Sequence, residues 1–185
     1  DIQINFTPGT HQRGMQSTLE KQAGFTMATW QHRPESQGYV KAKSTDPFAH
    51  PEIQPNYLAA ETDQNVILAA IKICRKLAQT EALKPFVVEE TFPSASCQND
   101  DDLLNSAREI GQSIYHLMGT CRMGNRDDRT TVVDAELRVH GIKNLRVIDA
   151  SIMPTMVSAN LNAAVMMIAE KGADMVLGKT AAKAH

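Results

Sequence analysis

The chain has 185 residues, of which 42% are hydrophobic, and its 19 basic and 21 acidic side chains leave a formal net charge of -2. This length can hold one domain with a sizeable core or two very small ones. The lack of a basic excess argues against a nucleic-acid partner or an anionic membrane surface, and no apolar run approaches the roughly 20 residues of a membrane-spanning helix.

The first part of the chain is typical of strands joined by turns. Gly24–Trp30 is rich in Phe, Thr and Met, and Tyr39–Lys43 alternates apolar with polar residues, so both stretches predict strands. The composition of residues 33–38 is that of a turn. Residues 44–58 contain three prolines, which exclude a long regular element because proline lacks a backbone N–H.

Three helices are predicted farther along the chain. Apolar residues recur at helical spacing over residues 63–79, with Asp63 as the expected N-cap. A more polar helix is expected over 100–110, where three consecutive Asp residues suit the positive end of a helix dipole. Leu145–Ile148 has the pattern of a buried strand, and a last helix is expected from residue 160 to about 177. Strands in front, helices in the middle and a strand plus helix at the back predict an α+β fold, with a mostly antiparallel sheet and packed helices.

The cysteines and the first residues bear on the cellular setting. Cys74, Cys97 and Cys121 form no C-x-x-C pair, which favours a reduced setting and excludes a thioredoxin-type site. Residues 1–6 have neither the basic nor the apolar region of a secretion signal, so a cytoplasmic location is expected. Because the sequence lacks an initiator Met and begins in strand-like sequence, we expect it to be part of a longer protein.

Nucleotide and metal motifs are absent. No two of the 10 glycines are two positions apart, so the chain has no G-x-G-x-x-G dinucleotide fingerprint of its own. Gly119 and Gly124 have the spacing of a phosphate loop, but Asn125 stands where that loop needs Lys. His116 and Cys121 are too few to hold a metal, and no metal site is expected.

Two segments, 115–124 and 144–163, contain the residues best suited to chemistry. His116 lies where an apolar segment meets a glycine-rich turn, and imidazole is the natural general base near neutral pH. The alternative is a structural histidine satisfied by a backbone carbonyl. Asp149 closes the predicted strand, and ligands in α/β layers collect outside the carboxyl ends of strands. Its alternative is a turn-forming Asp that bonds its own backbone.

Asn160 and Asn162 flank the start of the predicted last helix. Free N–H groups and the positive end of the dipole favour an anion or an electron-rich carbonyl there. The alternative is N-capping of that helix by Ser158 or Asn160.

These segments together resemble the C-terminal part of the glucose–methanol–choline (GMC) oxidoreductases. The resemblance covers most of the chain and is strongest from residue 116 to 177. It rests on the combination of four motifs: His116…Gly119-Thr120-x-Arg122-Met123-Gly124, Val132-Val133-Asp134, Arg138-Val139-His140-Gly141 and Asp149-Ala150-Ser151-Ile152-Met153-Pro154.

The resemblance implies an FAD-dependent oxidoreductase that oxidises a primary alcohol to an aldehyde. His116 matches the family's first active-site residue, the base, and Asn160 matches the second, which orients the substrate oxygen. The Asn form resembles choline dehydrogenases and related alcohol dehydrogenases or oxidases. Ala159 stands where choline-type members tend to have Gly, and the resemblance specifies neither the alcohol nor the electron acceptor.

The resemblance also implies where the cofactor lies. Asp149 and Ala150 match the turn against the ribityl and diphosphate region of FAD, and Leu161 and Asn162 match positions whose backbone meets the flavin ring. The family binds FAD in an N-terminal Rossmann-like domain, which this sequence does not contain. FAD is therefore not expected on this chain alone.

The resemblance also implies how the chain is divided into domains. Residues 1–130 are expected to form a substrate-binding or cap domain, residues 131–180 a segment that returns to the FAD domain, and residues 181–185 a tail. The expected partners are a small-molecule alcohol and the missing FAD-binding half. The strand and helix at the C-terminal end, without their normal neighbours, are expected to be mobile, to pair with another copy of the chain or to pack on an exposed edge. The competing interpretation is a non-catalytic α+β binding domain without flavin.

Overall fold

The computed structural model describes residues 1–12, 15–158 and 160–179. The chain divides into two compact units, one formed by residues 1–38 and 53–112 and the other by residues 39–52 and 113 onward. Short antiparallel sheets and helices make up the described residues, which confirms the α+β prediction. The functional division at residue 130 stays a prediction.

The first unit contains the predicted strands. Strand β1 (Ile2–Thr7) pairs with β4 (Thr26–Gln31) as an antiparallel two-stranded sheet. A second antiparallel pair, likewise in this unit, consists of β2 (His11–Gln12) and β3 (Met15–Leu19). The composition of Gly24–Trp30 therefore predicted β4 to within two residues.

Two helices complete this unit. Helix α1 (Glu61–Ala78) contacts β4 and helix α2 (Asp100–Ile110). Their shared core is small and consists of Leu68, Leu103 and Leu104. Asn99 caps α2, because its side-chain Oδ1 accepts the backbone N–H of Asp102 at 2.8 Å.

Asp63 has a different role from the predicted one. Helix α1 begins at Glu61, two residues earlier than expected, so Asp63 is not its N-cap. The Asp63 side chain is buried and accepts hydrogen bonds from the backbone N–H groups of Glu35 and Ser36, at 2.9 and 2.8 Å, and from the Ser36 hydroxyl. Burial opposes ionisation of the carboxyl, but these donors outweigh it and lower the pKa of Asp63. The carboxylate thus ties the turn after β4 to α1.

The second unit contains the last helix, α3 (Asn162–Val176), and a short 3-10 helix over Ala150–Ile152. The predicted helix from residue 160 to 177 is confirmed to within two residues. Strand β5 (Tyr39–Lys41) belongs to this unit, and strand β6 (Glu52–Gln54) lies at a boundary of the two units along the chain. The core of this unit, here called the α3 core, consists of Val133, Leu137, Ile152, Met153, Leu161 and Ile168.

Leu145–Ile148 is not a buried strand. Leu145 is 46% exposed, and the segment contributes only an isolated antiparallel bridge between Arg138 and Arg146. Val139 N–H donates to Leu145 C=O and Val147 N–H to Leu137 C=O, so the segment forms one side of a short hairpin. The apolar pattern of residues 145–148 indicates a strand that is buried on both faces. Such burial needs other parts of the chain on both sides, and this short hairpin does not supply them. Within the described residues, no helix combines the length and the apolar character needed to cross a membrane.

Candidate active site

Backbone hydrogen bonds join the two segments that the sequence singles out. Cys121 N–H donates to the Ser151 carbonyl at 2.9 Å, and Met123 N–H donates to the Ile152 carbonyl at 2.8 Å. Gly119 begins this contact with φ +84°, a left-handed conformation that glycine adopts at little cost. The loop that follows His116 is therefore fixed against the turn that follows Asp149.

His116 lies in the loop just before this contact. Its side chain is half-buried, and the neighbouring Tyr115 and Leu117 are 82% and 66% exposed. Tyr115 has φ +63°, a backbone conformation that is uncommon for a bulky residue. No residue in the described part of the chain hydrogen bonds the His116 imidazole, so the carbonyl partner of the structural alternative is not seen there.

His140 shows what a structural histidine in this unit looks like. Its Nε2 lies 3.2 Å from the Gly124 carbonyl oxygen and 3.5 Å from the Thr131 hydroxyl, and its backbone N–H donates to the Val132 carbonyl. These contacts hold the loop 124–131 in place. The two histidines therefore differ in whether hydrogen-bond partners within the described residues hold the ring.

The N-cap residue of α3 is Leu161, whose side chain makes no capping hydrogen bond. Asn160 and Asn162 are exposed on either side, whereas the Leu161 side chain is buried in the α3 core at 5% exposure. Neither Ser158 nor Asn160 is therefore at the N-cap position of this helix.

Asp149 makes the turn contact named as its alternative. Its Oδ1 accepts the Ser151 backbone N–H at 2.8 Å and so caps the 3-10 helix that begins at Ala150. Asp149 as a residue is exposed, and Ala150 is half-buried against the α3 core. The turn bond positions the carboxylate at the surface without burying it.

The segments that contain the predicted site residues contact one core. Met118, two residues after His116, packs against the α3 core, and Leu161, next to Asn160, is part of that core. Ala150 packs against it as well. The structure thus brings the three segments that contain the six predicted residues to the α3 core. Ala159, the departure near Asn160, and the tail 181–185 lie outside the described residues.

One arrangement in this region was not predicted. The Asp134 carboxylate accepts the backbone N–H groups of Glu136 and Arg138 and the Arg138 Nε, each at 2.9 Å. Partial burial works against the charge, but the Arg138 donors lower the pKa of Asp134 overall. The aspartate closes a turn beside the α3 core, and only the i, i+4 spacing of two charged residues hints at it in the sequence.

The residues present are compatible with FAD at this site. A helix start whose N-cap residue, Leu161, makes no side-chain cap suits the electron-rich oxygens of a flavin ring or a phosphate. The exposed Asn162 amide adds a donor and an acceptor at the same place. The described residues contain no cluster of three or more His, Cys, Asp or Glu side chains that could hold a metal ion.

Comparison with curated proteins shows close relatives. The chain is 43% identical to the mitochondrial choline dehydrogenase of Homo sapiens over 182 residues, which are 98% of this chain and 30% of that protein. It is 42% identical to the oxygen-dependent choline dehydrogenase of Escherichia coli strain S88, of which it covers 32%. The chain therefore spans about a third of the length of these relatives.

Solved structures also match this chain. A formate oxidase variant from Aspergillus oryzae matches with a TM-score of 0.77 and 31% identity over 86% of this chain and 28% of that chain. Pyridoxine 4-oxidase from Mesorbium loti matches with a TM-score of 0.74 and 28% identity over 86% of this chain and 31% of that chain. The family model described as GMC oxidoreductase matches residues 34–169. The resemblance seen in the motifs is confirmed, and the chain belongs to the GMC oxidoreductase family.

Proposed function

We propose that this chain forms the substrate side and the C-terminal part of an FAD-dependent enzyme that oxidises a primary alcohol to an aldehyde. The identity of 43% to a choline dehydrogenase supports an alcohol of the choline type as substrate. The observation that carries the proposal is the half-buried His116, whose imidazole has no hydrogen-bond partner in the described residues and whose loop packs Met118 against the α3 core.

In this proposal, the bound FAD supplies the acceptor for the hydride that leaves the alcohol carbon. The chain's own residues handle the hydroxyl group. A ring nitrogen of His116 accepts the hydroxyl proton as the carbon is oxidised. The Asn160 Nδ2–H donates a hydrogen bond to the alcohol oxygen, which stabilises the negative charge that develops on it and orients the carbon.

Residues near the start of α3 and the 3-10 helix hold the cofactor in this proposal. Asp149 and Ala150 form the turn against the ribityl and diphosphate region, since the Asp149–Ser151 hydrogen bond fixes that turn. The backbone of Leu161 and Asn162 meets the flavin ring. The buried Leu161 side chain anchors this backbone to the α3 core.

A chimera tests this function. In the chimera, the segment of the Escherichia coli choline dehydrogenase that this chain matches is replaced by this chain. We expect the purified chimera to retain FAD and to form aldehyde from a panel of primary alcohols that includes choline, with oxygen and a quinone analogue compared as acceptors. A chimera that holds FAD but oxidises none of these alcohols would show the proposed function to be wrong.

A further inference from the structure

A cavity of about 840 Å³ lies along the hairpin of residues 137–147, beside the loop 124–131. This volume is within the range of roughly 300–1,000 Å³ that small-molecule sites have. None of the six residues predicted for the active site lines this cavity, so the proposed function leaves it without a ligand. Its wall contains four cationic side chains, those of Arg126, Arg138, Lys143 and Arg146.

Two of these cations, Arg138 and Arg146, lie opposite each other on the two sides of the hairpin. They form an antiparallel bridge with a backbone hydrogen bond on either side of it, which makes them a non-hydrogen-bonded pair. In such a pair, the opposing side chains lie closest together. Like charges directly opposite each other destabilise a sheet, and an anion bound at this place would offset the repulsion.

The carboxylates of the cavity neutralise only one of these two arginines. Asp134 Oδ2 accepts the Arg138 Nε at 2.9 Å, and Glu136 Oε2 lies 3.0 Å from Arg138 Nη1. Arg146 is half-buried, and its Nε donates to the backbone carbonyl of Glu136 at 3.1 Å. Within the described ranges, no carboxylate pairs with Arg146 or with the other two cations of the wall. The cavity therefore has three positive groups without an acidic partner there.

These groups and their surroundings are suited to a phosphate with a small organic part. The Nη groups of Arg146 are left for a ligand, and a guanidinium can bind two oxygens of one phosphate side by side. Lys143 and Arg126 add charge, which suits a phosphate monoester because its charge is about −1.5 to −2 at neutral pH. Ile142 and Leu145, at 56% and 46% exposure, supply apolar surface on the same wall.

We propose that this cavity binds a small phosphate monoester. Arg146, Arg126 and Lys143 hold the phosphate group. The organic part packs against Ile142 and Leu145. The inference does not depend on the proposed function, because it uses none of the residues assigned to the base, the substrate oxygen or the flavin.

Titration calorimetry of the 185-residue chain tests this site, with inorganic phosphate and phenyl phosphate as the two probes. We expect one molecule of phenyl phosphate per chain, bound at least about threefold more tightly than inorganic phosphate, because its ring covers apolar surface. Added sodium chloride should weaken the binding of both probes, since it screens the charges. Ile142→Ser should remove the advantage of phenyl phosphate and leave the binding of inorganic phosphate unchanged.

Substitutions of the cations make the test specific. Arg146→Gln should weaken the binding of phenyl phosphate at least about tenfold, because the forked donor is lost. Lys143→Gln changes an exposed turn residue and should weaken binding at least about threefold, which covers the case in which Arg146→Gln disturbs the hairpin. Arg129→Gln is the matched control, since Arg129 is an exposed loop residue outside the cavity wall, and it should leave the affinity nearly unchanged.

Three results would overturn the proposal. The first is the absence of phenyl phosphate binding at millimolar concentrations. The second is equal weakening by Arg129→Gln and Arg146→Gln, which is the result of a general attraction between charges. The third is binding to the 185-residue chain that is lost in the FAD-loaded chimera, because another part of the protein would then fill the cavity. A chimera that binds phenyl phosphate but oxidises no alcohol contradicts the proposed function and supports the phosphate site.

Discussion

His116 and His140 lie in the same unit, and they differ in what holds their rings. The ring of His140 contacts the Gly124 carbonyl and the Thr131 hydroxyl, whereas the ring of His116 has no partner within the described ranges. A ring without partners contributes little to stability. In the proposed function, the imidazole of His116 instead takes the hydroxyl proton of the substrate.

This contrast predicts that replacing His140 lowers stability, whereas replacing His116 leaves it nearly unchanged. His116→Ala should change the free energy of unfolding of the 185-residue chain by less than about 0.5 kcal/mol. His140→Ala should lower it by about 1–2 kcal/mol, because the Gly124 and Thr131 groups lose their partner. Urea unfolding followed by circular dichroism measures both values. A loss for His116→Ala as large as that for His140→Ala would favour the structural interpretation of His116.

Asn160 is predicted to act through its amide N–H. In the chimera, Asn160→Ala should lower kcat by roughly 100-fold, the typical effect of removing one donor to a developing oxyanion. Asn160→His retains a donor and should lose much less. Because the side chain of Asn160 is exposed and does not cap α3, folding and FAD content should stay unchanged in both variants. Equal loss in Asn160→Ala and Asn160→His would contradict a donor role.

At the scale of elements, local signals predicted most of the structure, and contacts between distant residues were missed. Helix α3 followed from periodicity and strand β4 from composition, each to within a few residues. The role of Asp63 followed from neither, since its donors Glu35 and Ser36 lie far away in the sequence. The motifs of the site predicted His116 and Asn160 as a pair, but local patterns could not show whether the His116 ring has a hydrogen-bond partner or which residue is the N-cap of α3.

The Asp63 anchor predicts a pH-dependent contribution to stability. The pKa of Asp63 is lowered in the folded chain from 3.8, so the carboxylate stabilises the fold at neutral pH and loses this effect as pH falls below 3.8. Asp63→Asn should lower the free energy of unfolding by about 1–3 kcal/mol at pH 7. The amide NH2 group replaces one carboxylate oxygen, so one buried donor loses its acceptor.

The difference between wild type and Asp63→Asn should then shrink on acidification below pH 3.8, as followed by urea unfolding at a series of pH values. Asp127→Asn is the matched control, because Asp127 is an exposed loop residue, and it should change stability little at any pH. If the difference in unfolding free energy between wild type and Asp63→Asn stays constant down to the lowest pH at which both fold, the ionised form of Asp63 does not anchor the turn.

At the scale of the whole molecule, the chain contains residues suited to the chemistry but no dinucleotide fingerprint. It matches about a third of each choline dehydrogenase, and its family model covers residues 34–169. In the proposed function, the start of α3 and the exposed Asp149 contact the cofactor, which they can do only when the flavin-binding part is present.

The 185-residue chain alone is therefore predicted to hold no FAD. After purification and incubation with excess FAD, gel filtration should separate the chain from all flavin absorbance, because in the proposed function Asp149, Ala150, Leu161 and Asn162 contact only part of the cofactor. The chimera is the positive control and should elute with flavin. Stoichiometric FAD on the isolated chain would contradict the division of the cofactor site between two parts of the protein.

In the proposed function, His116 takes the proton of an alcohol whose hydride passes to FAD. This role is tested by the rate at which flavin absorbance bleaches when alcohol is mixed anaerobically with the FAD-loaded chimera. We predict rapid bleaching when His116 is present, and bleaching at least about 100-fold slower in His116→Ala at equal FAD content. Bleaching at the same rate in both proteins would contradict a role of His116 as the base.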